Sequence, residues 1–317
     1  MNRLVVSPSP HAHSGLSTAQ CMYGVLIALI PAFLVSIYFF GVDALLVTAT
    51  AVASCLLFEF LIQKYLLKKA PTLSDGTAIL TGVLLAFNLP ANIPLWIVVI
   101  GALFAIGIGK MAFGGLGNNI FNPALAGRIF LLISFPQQMT SWPKPAPWGA
   151  SVDAITGPTT LDILKRGNIE EIANIDVINT LIGNSGGSFG EVGAIALIIG
   201  FVYLLWRKII TWHIPVSFIV SAGLFAGILW LCDITVNPVY HLLAGGLMLG
   251  AVFMATDMVT SPITKTGQII FGVGCGLLTI LFRCFGPMPE GVSFAILIMN
   301  ALTPLINKMC KPKRFGY

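Results

Sequence analysis

Ten apolar stretches, separated by short polar segments, run along the chain. They cover roughly residues 21–40, 44–63, 77–87, 93–109, 123–135, 191–206, 214–232, 241–256, 267–285 and 291–306. A helix needs roughly 20 residues to cross the hydrocarbon core of a bilayer, and the stretches 77–87, 123–135 and 241–256 are too short for that. The pattern predicts an all-α, polytopic membrane protein of about ten transmembrane helices, three of them broken or half-length.

Polar residues stand at the ends of the three short stretches. Asn88 follows the first, Asn122 precedes the second, and Asp257 follows the third. Backbone that is broken at membrane depth is tolerated only where protein buries it or where it lines a cavity. We therefore expect these breaks to form the walls of a site.

The two halves of the chain carry weak internal similarity. Residues 81–90 resemble 249–257, and 122–125 find an echo in 300–304. Each half has five apolar stretches, an odd number, so a second copy must be inverted, and inverted repeats place sites near the midplane. The predicted organisation is an amino-terminal segment, a first repeat, a long loop, a second repeat and a basic tail, at residues 1–20, 21–135, 136–190, 191–306 and 307–317.

Composition places the chain in lipid and gives no indication of nucleic-acid binding. It is 56% hydrophobic and 9% charged, whereas soluble domains carry about 25% charged residues. The net charge of +5 comes from basic residues at the ends of apolar stretches, as membrane topology requires. The six cysteines are scattered with no CxxC pair, which favours buried thiols over a metal or cluster shared with a partner.

The distribution of lysine and arginine predicts the orientation. With ten crossings and both termini inside, twelve basic residues fall on the inner side and only Lys144, Lys165, Arg166 and Arg283 on the outer side. Cytoplasmic loops carry the excess of basic residues. We expect a prokaryotic cytoplasmic (inner) membrane protein with cytoplasmic termini and an extracytoplasmic 136–190 loop.

Two polar strings stand out against this background. The first runs from Gly114 to Arg128 and reads GGLGNNIFNPALAGR; the second, in the long loop, is Asp153-Ala-Ile-Thr-Gly-Pro-Thr159. Taken alone, the second string is typical of a turn that caps a helix starting at Thr160. The glycine run lacks a preceding strand, so it does not indicate a nucleotide-binding loop.

The two strings, together with Ala255-Thr-Asp257 and the leading Ser7-Pro-Ser-Pro-His11, occur in one order along the chain. This combination resembles the RnfD family, membrane subunits of the Rnf complexes (the ion-translocating ferredoxin:NAD oxidoreductases), over essentially the whole chain. It is also similar to the related NqrB subunits of the sodium-pumping NADH:quinone oxidoreductases, which carry a much longer amino-terminal region.

The resemblance implies a covalent FMN, attached through a phosphoester to the threonine that closes a Ser-Gly-Ala-Thr motif. In this chain Thr156 takes the Ser position, Gly157 the Gly, Pro158 the Ala and Thr159 the flavin-bearing Thr. Pro158 departs from the pattern by removing an N–H group, and the neighbouring Thr160 is the alternative attachment point. We expect the Thr159 hydroxyl on an exposed turn that a flavin transferase can reach.

Further site residues follow from the same resemblance and from chemistry. A non-covalent riboflavin is implied near Asn119 and Asn122; amides suit the mixed edge of its ring, or instead satisfy carbonyls freed by the break. Asn118 belongs to the same stretch, and Lys110 is expected either to anchor a ribityl hydroxyl or to snorkel. Arg128 is a costly intramembrane cation that pairs with the flavin or, alternatively, with a carboxylate or carbonyls of the protein.

Ion coupling is assigned to Asp257, opposite Asn88 of the first repeat, because a lone carboxylate at membrane depth is expensive. Glu59 and Asp75 are weaker candidates, and both Na⁺ and H⁺ suit such a site.

The resemblance implies a flavin-carrying membrane subunit that passes electrons between a partner with an extracytoplasmic FMN, iron–sulfur membrane subunits and an NAD-binding subunit. Lipid is the other partner. No complete active site is expected in this chain alone. Two alternatives remain: a flavin-free channel or transporter, for which inverted repeats are common, and a membrane subunit that has lost its cofactors.

Overall fold

The computed structural model describes residues 17–143, 145, 157, 159–166, 181–183, 186–190, 193–286 and 290–311. Across these residues the protein is all-α, without a β-strand. The predicted fold class is therefore confirmed. Most of the 136–190 loop and both chain ends lie outside the described residues, so the expectations for Thr156 and Pro158 are not addressed by the structure.

The first two predicted spans form one long helix with a break. Helix α1 (Thr18–Leu61) begins at Ser17, whose side chain and that of Gln20 form a capping box. Gly41 has φ 62° and ψ −141°, a conformation open to glycine but strained for other residues, and it interrupts the helix between the two apolar stretches. A π-helical turn (Ile62–Leu66) completes α1.

The remaining helices of the first half follow the sequence breaks. They are α2 (Thr77–Phe87), α3 (Leu95–Gly107), α4 (Pro123–Ser134) and the single turn α5 (Pro136–Met139). Helix α4 starts with proline after Asn122, whose side chain caps it, as helix N-termini favour. Within the long loop, α6 (Thr160–Arg166) is a short helix.

The second half contains α7 (Ala194–Trp206), α8 (His213–Leu231), α9 (Pro238–Leu243), α10 (Leu247–Leu249), α11 (Lys265–Phe285) and α12 (Val292–Met309). A π-helical turn (Gly250–Met254) continues α10. The stretch predicted as one short helix at 241–256 is thus divided into three pieces, with Gly245 at φ 69° in the break.

Five helices among the described residues are long and apolar enough to cross a membrane, and α2, α4 and α7 are shorter apolar helices. Small residues allow the helices to approach closely. A Cβ placed on Gly272 or Gly276 of α11 would come within about 2 Å of the Ser217 or Ser221 hydroxyl of α8. Small residues at such contacts are what drives helix packing in lipid, where apolar burial provides little.

Helices α2 and α4 start at one end of the molecule and finish at the other. We call the first the cavity end, after the cavity described below, and the second the loop end, because the long loop follows α4 and α5. Gly190, near the end of that loop, donates its N–H to the Phe87 carbonyl at the end of α2 (3.1 Å). Helix α12 runs the opposite way, from the loop end to the cavity end.

Candidate functional site

A cavity of about 80 Å³ lies at the cavity end and collects residues from distant parts of the chain. Four of the predicted site residues line it: Lys110, Asn119, Asn122 and Asp257. Its other polar groups are hydroxyls, and one wall is apolar, with contributions from Thr77, Thr81, Thr256, Val25, Leu80, Leu84, Leu204 and Phe253. The helix breaks at Asn122 and Asp257 therefore do line a common space.

Lys110 forms a buried ion pair instead of reaching for water. Its Nζ donates to both carboxylate oxygens of Glu59, at 2.8 and 2.7 Å, and to Oγ1 of Thr77 at 2.8 Å. The two charged side chains are 2% and 1% exposed. Gln63 donates to the same carboxylate at 3.1 Å. The snorkelling alternative is wrong, because the ammonium is held inside the protein by α1 and α2.

The three asparagines after the glycine run have different environments. Asn118 is exposed and does not line the cavity, whereas Asn119 is buried and donates to the Phe121 carbonyl at 3.1 Å. Asn122 accepts from the Ala124 N–H at the start of α4 (3.1 Å) and donates to the Met254 carbonyl at 3.2 Å. Asn122 thus satisfies a carbonyl freed by the break in the second half, while still lining the cavity.

Asp257 follows the π-helical turn and faces the cavity half-buried. One carboxylate oxygen accepts from the Val259 N–H at 3.4 Å, and the other accepts from the Thr260 hydroxyl at 3.2 Å. Asn88, expected opposite Asp257, instead donates to Met254 Sδ at 3.7 Å. The two halves therefore meet near both residues, but Asn88 belongs to a second cluster towards the loop end.

That second cluster surrounds Arg128. Its guanidinium, 3% exposed, donates to Oδ1 of Asn88 at 2.9 Å and to Oγ of Ser293 at 2.8 Å, and forms an ion pair with Glu290. These groups come from α2, α4 and the start of α12. The carboxylate alternative for Arg128 therefore describes its observed contacts, and the contact joins the two halves of the chain.

Thr159 is the N-cap of α6. Its hydroxyl donates to Asp162 Oδ2 at 2.9 Å and accepts from the Asp162 N–H at 3.1 Å. At 6% exposure the side chain is buried, so the expectation of an exposed turn is wrong. The helix-capping interpretation of this string is confirmed locally. Gly157, two residues earlier, is half-buried and donates its N–H to the Trp142 carbonyl at 3.1 Å.

Helix α6 is docked on the second half of the chain. Leu161 and Leu164 form a small buried cluster with Ala244, in the break between α9 and α10. Lys165 donates to the Gly286 carbonyl at 2.8 Å. Arg283, which donates to the Ala244 carbonyl at 3.0 Å, lies on the other side of the same break. Thr159 is therefore held next to basic groups that the sequence did not connect with it.

Gly245 makes that docking possible, which leads to a first prediction. A Cβ on Gly245 would lie 2.4 Å from Leu161 Cδ1, and φ is 69°. We expect Gly245→Ala to destabilise the α6 contact by about 1–3 kcal/mol, from steric overlap and backbone strain. Hydrogen–deuterium exchange over residues 160–166 will rise. Gly115→Ala is the matched control, since Gly115 also has positive φ but nothing within 4 Å; equal effects would contradict the docking argument.

The donor set of the cavity fits a flavin, but its volume is smaller than a flavin needs. Amides, hydroxyls and an apolar wall suit a ring with a polar edge, as in most ligand pockets. Pockets for ligands of this size measure roughly 300–1,000 Å³, against about 80 Å³ here. Binding therefore requires the cavity to widen. Attachment at Thr159 likewise requires the first turn of α6 to open and release the hydroxyl from Asp162.

Sequence reasoning misses several members of these clusters. By sequence alone Glu290 and Arg283 are only loop charges, and Ser293 and Thr77 carry no signal. Glu59 ranks below Asp257 although it is more deeply buried. The usable signal is the scarcity of charge: with 9% charged residues, each carboxylate next to an apolar stretch is a candidate partner for an intramembrane cation.

Comparison with known proteins covers nearly the whole chain. The family model described as the NQR2, RnfD, RnfE family matches residues 5–316. The chain is 46% identical, over 99% of its length and 95% of the relative, to the D component of the Na⁺-translocating ferredoxin:NAD⁺ oxidoreductase complex of Acetobacterium woodii. It is 43% identical, over 99% and 97%, to the proton-translocating counterpart of Clostridium ljungdahlii.

A third relative is the D component of the ion-translocating oxidoreductase complex of Escherichia coli, 38% identical over 98% of both chains. The first two relatives differ by only three percentage points in identity to this chain, yet their names specify different ions. Overall similarity therefore does not distinguish Na⁺ from H⁺.

Proposed function

The chain belongs to the NQR2, RnfD, RnfE family, and we propose that it is the flavin-carrying RnfD membrane component of an ion-translocating ferredoxin:NAD oxidoreductase (Rnf) complex. The observation that carries this proposal is the cavity, which brings Lys110, Asn119, Asn122 and Asp257 from separate segments to one place. The named relatives are subunits of an oxidoreductase complex, so the enzymatic activity belongs to the assembly.

Two flavin positions are proposed, at opposite ends of the molecule. Thr159 carries FMN through a phosphoester at the loop end, and riboflavin binds non-covalently at Asn119 and Asn122 at the cavity end. Flavins supply one-electron chemistry when bound, and the protein supplies position and charge. Helix α2 spans about 16 Å between the two ends. This arrangement supports passage of electrons through the subunit from one face of the membrane to the other.

The residues around Thr159 have defined roles in this proposal. Asp162 holds the hydroxyl by its carboxylate and releases it when the first turn of α6 opens. This opening is cheap, because α6 has only seven residues and a buried cluster of three side chains beneath it. Lys165 and Arg283 supply positive charge at the same end for a phosphate. Arg128, held by Glu290, is not assigned to the flavin.

The coupling ion is proposed to enter at Asp257, where a carboxylate faces the cavity beside the hydroxyl of Thr256. Glu59 and Lys110 hold each other in the cavity wall, and either charge alone would be costly at membrane depth. The termini are proposed to be cytoplasmic and the loop extracytoplasmic. The partners are those of an Rnf assembly: an extracytoplasmic FMN subunit, iron–sulfur membrane subunits and an NAD-binding subunit.

The test compares wild type with Thr159→Val, each produced together with a flavin transferase. We expect in-gel flavin fluorescence on the denatured wild-type chain and none on Thr159→Val, because valine has the same shape but no hydroxyl. Thr160→Val is the matched control and keeps the fluorescent band. Flavin released on denaturation, measured by absorbance, is expected in all three proteins. A dark wild-type band would leave α6 as a capped helix only and favour a flavin-free transporter.

A further inference from the structure

A buried amide in the middle of α12 has no hydrogen-bond partner. Asn300 is 1% exposed, and neither its Oδ1 nor its Nδ2 is bonded to any residue that the structure describes. Buried polar side chains almost always have a partner, so an unpaired amide points to a water molecule or an ion. At membrane depth that requirement is stricter, because lipid offers no hydrogen bonds.

The backbone supplies a further unpaired group at the same position. Pro304 lies inside α12, four residues after Asn300. Proline has no N–H, so the Asn300 carbonyl does not receive the usual helical hydrogen bond. One point of the helix therefore offers two oxygens and one NH₂ group to a ligand.

Asn300 lies between polar side chains on one face of α12. Ser293, Asn300 and Thr303 fall within an arc of about 80° on the helix, and all three are buried. Ser293 accepts from Arg128, which pairs with Glu290 at the loop end. The face thus begins at a carboxylate that is 18% exposed.

The other end of this face leads to Asp257. The Thr303 hydroxyl donates to the Thr260 carbonyl at 3.0 Å, and the Thr260 hydroxyl donates to Asp257 at 3.2 Å. Asn300 is about 10 Å from Ser293 and about 5 Å from Thr303 along the helix axis. These spacings are bridged by one or two water molecules on either side of the amide.

We propose that Asn300 is a hydrated binding step for the coupling cation, on a polar path along α12 between Asp257 at the cavity end and Glu290 at the loop end. This inference rests on the proposed function, since it provides the route for the ion that electron transfer drives. The path runs between the two halves of the chain, where Arg128 closes its loop end.

The chemistry of the site suits a hard monovalent cation. Amide and carbonyl oxygens coordinate Na⁺ or orient water around a proton, while the NH₂ group donates to a second water. The site is neutral, so it holds the ion weakly. Conduction requires this, because an ion must leave each step as readily as it enters. Na⁺ and H⁺ share this chemistry, and the experiment below distinguishes them.

The test uses the complete complex in proteoliposomes. Ion movement is followed with radioactive Na⁺ and, separately, with an internal pH dye, and each is divided by the electrons transferred from ferredoxin to NAD. Asn300→Leu removes the amide at similar volume. We expect the number of ions moved per electron to fall about tenfold, as for loss of a desolvated hydrogen-bonding group. The probe that reports this fall identifies the ion, and an unchanged ratio for both ions overturns the proposal.

A matched pair separates the path from general packing. Thr303→Val and Thr279→Val each remove a buried hydroxyl that donates to the carbonyl four residues earlier, but only Thr303 also contacts Thr260. We expect the ratio to fall in Thr303→Val and to stay unchanged in Thr279→Val. Equal ratios in these two variants overturn the path, even where Asn300→Leu fails to assemble.

Covalent flavin is measured in the same preparations. Its absence from wild type defeats the proposed function itself. A flavin-bearing wild type with an unchanged Asn300→Leu ratio defeats only the path.

Discussion

Replacing Arg128 with methionine is expected to destabilise the protein by about 3–5 kcal/mol, the usual cost of removing one member of a buried ion pair. Methionine fills a similar volume but leaves the Glu290 carboxylate, the Asn88 amide oxygen and the Ser293 hydroxyl without their donor. Because these groups come from both halves of the chain, the variant also loses a polar contact between them. The measurement is unfolding by a denaturing detergent in mixed micelles, followed by circular dichroism.

Two further variants make this first prediction specific. Arg207→Met removes an exposed arginine and is expected to change stability by less than about 0.5 kcal/mol. Arg128→Met combined with Glu290→Gln is expected to recover part of the loss, because the unpaired charge is then gone. Equal stability of the single and double variants would contradict a net contribution from the ion pair.

The second large effect is expected at the cavity. Lys110→Met leaves the Glu59 carboxylate, at 1% exposure, without its cation and with the Gln63 amide as its remaining side-chain donor among the described residues. We expect a loss of about 3–5 kcal/mol, or uptake of a proton by Glu59 that limits the loss. The same detergent unfolding reports this change, and stability will then decrease as the pH rises, because the unpaired carboxylate must ionise.

A double-mutant cycle checks the pairing of Lys110 and Glu59. Since the two side chains are in contact, Lys110→Met and Glu59→Gln together should be clearly less destabilising than the sum of the single variants. Lys265→Met, at an exposed lysine, is the control and should be nearly neutral. Additive effects of the pair would mean that the ammonium and carboxylate do not interact in the folded protein.

Much of the fold is predictable because lipid imposes simple rules. All ten apolar stretches correspond to helical segments, since backbone groups in lipid have no partner except their own helix. The break at Asn122 is also visible in sequence, because Asn-Pro at a helix start combines a cap with a residue suited to the first turn. The division of 241–256 is less visible: only Gly245-Gly246 indicates it.

The site is predictable by residue type rather than by partner. Lys110, Asn119, Asn122 and Asp257 stand out as polar residues at breaks, and they do share a cavity. Their partners are not predictable, because Glu59 is 51 positions from Lys110 and Glu290 is 162 from Arg128. The predicted exposure of Thr159 is wrong, since the sequence reveals the capping bond to Asp162 but not the docking of α6 on the second half.

The sequence by itself determined the membrane environment, the helical segments, the breaks between them and the family to which the chain belongs. These follow from local properties: hydropathy, helix length and short motifs are all readable along one dimension. The tertiary structure alone decided which charges pair, which helix ends meet and where Asn300 is left without a partner among the described residues. Such contacts depend on how helices far apart in the chain pack against each other, and burial, which sets their energy, exists only in the folded protein.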